Sequence, residues 1–310
     1  MKIFSTLLFI LLLSTIVYGA YFLYGELDRK NYNITPITNT QDEIPSIPQQ
    51  NSQSKQFYNN MRFTDKQISY YFDERCSEEK INQLEKAFSI FEDETILELS
   101  QNSDGEIYIA CSEIAPDPQT EGHFVAGEGG PTKVINGTKY AIILEGKISL
   151  FEDEECSRPN IAVHELFHVF GFDHNNDRKS ILYPTLDCSQ IYNQYLFDRI
   201  NELYTTPSLP DLRPQNIELE KTGRYLKFSI EVSNDGLKEA NQVDLDLFID
   251  NEKTNTFELG DIDIGVKKIF SVENLRVPRG AKKVEFKVDS SSKIPEISDL
   301  NNNAEFNIED

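Results

Sequence analysis

The chain has 310 residues and a formal net charge of −22, with 52 Asp and Glu against 30 Lys and Arg. No basic patch is visible, which argues against nucleic acid as a partner. An acidic surface of this kind mostly confers solubility.

In chain order, residues 1–25 come first. Ile3 to Gly25 carry no charge, a run long enough to span a bilayer at about 1.5 Å per residue. The expectation is an uncleaved signal anchor; a signal peptide cut after "VYG", before Ala20, is the alternative. Lys2 on one side and Arg29 and Lys30 on the other leave its orientation open. Residues 26–56 are polar and rich in Pro, Asn, Gln and Ser, and are expected to be a disordered, flexible linker.

Residues 57–207 carry mixed patterns. "QISYYFD" reads as a strand. "SEEKINQLEKAFSIFEDE" reads as an amphipathic helix with Ile81, Leu84, Phe88 and Phe91 on one side. Ser77 is its candidate N-cap, and Glu78 and Glu79 suit the positive end of the helix dipole. "GEIYIACSE", "KYAIILEG" and "GKISLFE" read as three further strands. His123 is expected to be a surface or packed histidine, because no second ligand set remains for it.

The other three histidines fall within "NIAVHELFHVFGFDHNNDRKSILYP", residues 160–184. His164 and His168 are four apart, so a helix places both on one face. Gly171 can adopt backbone angles closed to other residues, letting the helix stop and the chain turn. That turn returns His174 toward the same point. Three neutral imidazoles with one open position form the layout of a catalytic zinc site. Zinc lowers the pKa of its bound water to about 7. Glu165, beside the first ligand, is placed to take that proton and pass it to a leaving amine.

The pattern H-E-x-x-H-x-x-G-x-x-H resembles the zinc-binding consensus of the metzincin metallopeptidases, and within them the matrixins. "SILYP", Ser180 to Pro184, resembles the Met-turn that floors the zinc site in that family. Leu182 stands where the family has methionine, a swap that nearly conserves volume. Pro184 stands where another metzincin branch has a tyrosine ligand. "IYNQYLFDRINELY", Ile191 to Tyr204, resembles the closing helix of a matrixin catalytic domain. The resemblance implies a zinc endopeptidase acting on protein or peptide substrates. It also implies an S1′ pocket walled by Tyr183, Pro184 and Leu186, with apolar side chains preferred there. Substrate is expected to add as a strand to a sheet edge between His123 and Leu150. "FEDEEC", residues 151–156, is a solvated acidic loop or part of a Ca2+ site of the matrixin kind. The linker has no cysteine that could cap the zinc as the latency peptide of matrix metalloproteinases does.

Cys76, Cys111, Cys156 and Cys188 all lie in this region, and none forms a C-x-x-C pair. An even count behind a secretory segment points to two disulfides and a place outside the cytoplasm. Three pairings are open. The favoured one joins Cys76 to Cys111 and Cys156 to Cys188, the second bracketing the zinc helix. Each bridge would stabilise by about 3–4 kcal/mol. Four free thiols are the alternative. Sequons at Asn33 and Asn136 are compatible with export.

Residues 208–310 contain no Cys or His. Leu226, Phe228, Ile230 and Val232 alternate, as do Val243, Leu245, Leu247 and Ile249, and Val284, Phe286 and Val288. Period-two strands over about a hundred residues read as an antiparallel sandwich. With "PDL", "VSNDG" and "EISDLNNNAEFNI", the stretch resembles the immunoglobulin-like CARDB module of bacterial and archaeal surface proteins, which implies a surface ligand. The expected fold class is therefore α+β: a mixed sheet with three helices, then an all-β sandwich. The expected function is a membrane-tethered or secreted zinc endopeptidase at the extracellular face. A surface adhesion protein with a degenerate peptidase domain is the alternative.

Overall fold

The structure, a computed structural model, describes residues 14–18, 33–37, 54–111, 114–117 and 125–309. Residues 14–18 are helical; the rest of the expected anchor, and His123, lie outside the described residues. Among the described residues no helix is long and apolar enough to cross a membrane.

The expected flexible linker contains structure. Asn33–Ile37 form strand β1, which pairs antiparallel with the last strand of the chain. Its hydrogen bonds come from β14 (Asn303–Glu309), at the far end of the sequence, so local composition gives no sign of it. At the other end of the linker, Gln56 is buried. Its amide donates to the carbonyls of Met61 and Phe170 and accepts from the Met61 N–H.

Strands β2 (Met61–Phe63), β3 (Gln67–Phe72), β4 (Glu98–Gln101), β5 (Ile107–Ala110), β6 (Gly127–Asn136) and β7 (Ala141–Leu150) form one sheet. Its order is β4-β3-β5-β7-β6, with β2 beside the start of β7. The internal pairings are parallel, and the edge strand β6 runs antiparallel to β7. The two expected strands "KYAIILEG" and "GKISLFE" are one ten-residue strand, β7. Gly146, shared by both expected strands, sits mid-strand, where a Cβ would come 2.8 Å from the Val169 side chain. It is a site of close strand–helix approach.

Three helices pack on this sheet: α1 (Glu78–Glu94), α2 (Asn160–Val169) and α3 (Gln194–Tyr204). Ser77 caps α1 by accepting from the Lys80 N–H. The buried stripe of α1 is Leu84, Ala87, Phe88 and Phe91; Ile81 is only half-buried. Phe91, Phe167 and Phe197 bring one ring from each helix to a common point, with centroids 4.7, 5.4 and 5.2 Å apart. Aromatic pairs of this kind contribute about 0.5–1.5 kcal/mol each beyond their burial. The closing helix starts at Gln194 rather than Ile191. Ile191 instead bridges to Ser180 and carries backbone bonds to the turn below the histidines.

Residues from β8 (Leu212–Thr222) to β14 (Asn303–Glu309) build the sandwich. One sheet runs β1-β14-β13-β10-β11, with β10 at Ala240–Ile249, β11 at Glu252–Ile262 and β13 at Lys283–Val288. The other runs β12-β9-β8, with β9 at Tyr225–Asn234 and β12 at Lys267–Arg276. All pairings are antiparallel. The alternating residues read from the sequence in β9, β10 and β13 all face the buried core. Both expected disulfides are present, Cys76–Cys111 and Cys156–Cys188.

Candidate metal centre

Helix α2 is buried along its whole length. One of its N-terminal N–H groups finds a partner outside the helix: the Glu154 carboxylate accepts from Ile161, and its other oxygen accepts from the Cys156 N–H in the segment before the helix. A negative charge there also suits the helix dipole. At the other end Gly171 has φ +83°, and its N–H donates to the His168 carbonyl. A Cβ at Gly171 would strike the Met61 side chain at 2.7 Å. The turn that follows carries His174 back to the helix.

The ring nitrogens converge. The Nε2 atoms of His164, His168 and His174 lie 3.0, 3.2 and 3.3 Å from one another. His164 Nδ1 donates to the Ile181 carbonyl at 2.5 Å, and His168 Nδ1 donates to the Phe172 carbonyl at 2.7 Å. A carbonyl can only accept, so each Nδ1 carries the proton and each Nε2 offers a lone pair. Lone pairs this close repel unless a cation lies between them. Three nitrogens about 2.0–2.1 Å from a tetrahedral ion lie about 3.3 Å apart, so the donor set fits zinc. Burial, then the neighbouring His168, lowers His164 to about 3; burial lowers His168 to about 4, and His174 is lowered by burial as well. All three are thus neutral near pH 7, as ligands must be. Among the described residues they are the one cluster of three potential ligands.

Glu165 is buried beside them. Burial and the charge of Glu128 push its carboxyl up to about 8, opposed by the Gly129 N–H that donates to it. The edge strand comes this close because it has no side chains there. A Cβ on Gly127 would lie 2.8 Å from the Glu165 Cγ, and one on Gly129 would lie 2.2 Å from the Glu165 carbonyl oxygen. The run "GEGG" is therefore a sequence signal of a strand edge packed closely on a helix.

A cleft of about 1030 Å³ opens over the three histidines and Glu165. Pro184 and Leu186 line it; Tyr183 is not among its lining residues. Glu128, Glu152 to Glu155 and Asp187 give its rim a negative charge, and the Cys156–Cys188 bridge joins two parts of the wall. Leu182 is wholly buried under the site. Phe57 stacks on the His168 ring, with centroids 6.0 Å apart.

The family model described as Matrixin matches residues 49–204, half of the chain. The chain belongs to the matrixin family. A second family model, CARDB, matches residues 209–306 and follows the matrixin domain directly. Among solved structures, a CARDB domain from Pyrococcus furiosus in complex with di-metal ions is 16% identical. That match covers 32% of this chain and 86% of that one, with a TM-score of 0.28. High choriolytic enzyme 1, a hatching enzyme zinc-protease from Oryzias latipes, is 17% identical, with a TM-score of 0.24. It covers 36% of this matrixin chain, which in turn spans 46% of that enzyme. No curated protein matches the chain.

Proposed function

We propose that the chain is an extracellular zinc-dependent endopeptidase, with His164, His168 and His174 as metal ligands and Glu165 as general base. The observation that carries this reading is the convergence of three Nε2 lone pairs beside a buried carboxyl at the floor of an open cleft. A zinc ion held there supplies Lewis acidity, making water more acidic and a substrate carbonyl more electrophilic. Glu165 takes the proton of the attacking water and delivers it to the leaving amine nitrogen. The Gly129 N–H holds the Glu165 carboxylate in place. Substrate lies extended along β6, whose outer edge has no partner strand among the described residues. Pro184 and Leu186 form the apolar part of the S1′ wall. Two disulfides and a CARDB module support a place at the cell surface, with residues 1–25 as its membrane tether.

The test uses the full chain and an unfolded protein substrate. Glu165→Gln is expected to keep one zinc and lose about 10²–10⁴-fold in rate. His168→Ala is expected to lose zinc and activity together. Zinc-loaded wild-type protein that is inert on every peptide library would leave the adhesion reading in its place.

A further inference from the structure

Strand β7 is buried on both faces near its start. Ala141 and Ile143 enter the core of the matrixin domain. Tyr140 and Ile142 point the other way and form a second cluster with Leu237 of the sandwich, which is wholly buried. Ile135 and Leu144 from the same hairpin, and Ile264 and Ile297 from the sandwich, pack around them. Gly265 lets the two domains close: a Cβ there would lie 2.7 Å from Ile135 Cγ2.

The turn between β6 and β7 is held by charge as well. The Lys139 ammonium pairs with Asp211, whose side chain is wholly buried. The other Asp211 oxygen accepts from Asn301 at 3.0 Å. Thr138 donates to Asp235 at 3.2 Å. A charge pair taken out of water is costly to leave unpaired, so it fixes one register of the turn. Strand β6 is thus gripped at both ends, by α2 at Gly127 and Gly129 and by the sandwich at Ile135.

We propose that the sandwich is a working part of the peptidase site: it holds the β6–β7 hairpin so that the β6 edge is set to receive an extended peptide, with Lys139 and Asp211 as the positioning pair. The inference rests on the reading that substrate adds to β6. In this arrangement the second domain acts on substrate alignment without touching substrate. Its effect falls on peptides long enough to run along the edge and spares the metal and Glu165.

The test compares the full chain with Lys139→Met/Asp211→Asn, which removes both charges together, and with Ile135→Ser. Amide exchange is read by mass spectrometry over β6, α2 and the sandwich strands. Expected in both variants is exchange about tenfold faster in β6, with α2 and β9 still protected. Zinc content stays at one per chain. KM for a long peptide rises about five- to tenfold while kcat stays within about twofold, the signature of lost substrate binding. Wild-type exchange in β6 in both variants overturns the proposal. A wild-type chain that cleaves nothing, with β6 still loosened in the variants, leaves the grip standing and removes the peptidase reading.

Discussion

His164 donates its Nδ1 proton to the carbonyl oxygen of Ile181, 2.5 Å away. The turn beneath the histidines therefore does more than fill space. It selects the tautomer that aims Nε2 at the metal position. That carbonyl is placed by Ile181 and Leu182, both fully buried. Leu182→Met is expected to change stability by less than about 1.5 kcal/mol and to keep zinc. Leu182→Ala should cost about 2–5 kcal/mol. Zinc affinity should also fall about 10–100-fold as the carbonyl shifts. Thermal melts and a chelator competition read the two effects; unaltered zinc affinity in the alanine variant would separate the turn from the metal.

Gly129→Ala places a methyl against backbone rather than against a side chain that could swing away. Overpacking of this kind costs about 1–3 kcal/mol, and the edge strand should lift from α2. Gly130→Ala is the control, since a Cβ there meets nothing within 4 Å. Equal melting temperatures and equal peptide cleavage for the two variants would contradict the close approach.

Arg62 is buried, with no carboxylate partner among the described residues. Its guanidinium donates to the carbonyls of Phe63, Leu203, Thr206 and Thr64 and lies 4.3 Å above the Tyr204 ring. It closes the C-terminal end of α3, where positive charge suits the dipole. Burial lowers its pKa, with Tyr204 opposing. Arg62→Met is expected to destabilise by about 2–4 kcal/mol, because several buried carbonyls lose their donor. Arg62→Lys should recover little, since a point charge cannot span that fork. Urea titration decides; full recovery by lysine would make the charge, not the geometry, the cause.

Glu296 gives a pH dependence to the sandwich. Burial pushes its carboxyl up to about 7, although the Leu212 N–H and the Asn302 amide both donate to it. A raised folded-state pKa favours the protonated form in the fold. The resulting stability is complete below the unfolded value of about 4.5 and is lost as pH rises through about 7. Glu296→Gln should flatten the fall in melting temperature between about pH 4.5 and 8. An unchanged slope would assign the effect to another group.

The histidines, Glu165 and Gly171 are legible because each is fixed by residue type and spacing; the cysteines are legible as residues, but their sequence leaves three pairings open and the fold selects one. The carbonyls of Ile181 and Phe172 are not legible, since any residue supplies a carbonyl. Strand β7 was split in the reading at Gly146, where a packing glycine has the same letter as a turn glycine. Its unbroken apolar run, Tyr140 to Leu144, did carry the sign of a strand buried on both faces. Strands β8, β11 and β12 are harder to read because their outward positions are mostly polar or charged and most of their inward ones are only half-buried, Leu212 and Ile262 excepted. Arg62 is buried, and its sequence carries no sign of this, since a charge beside apolar letters gives no hint of the carbonyls that will receive it.

The pairing of β1 with β14 makes the chain a closed loop mechanically. Tension applied ahead of residue 33 reaches the final strand before it reaches the matrixin core, and a five-residue ladder bears it in shear. A protein truncated to begin at residue 57 loses that ladder and bares the backbone edge of β14, a ready template for pairing with a second molecule.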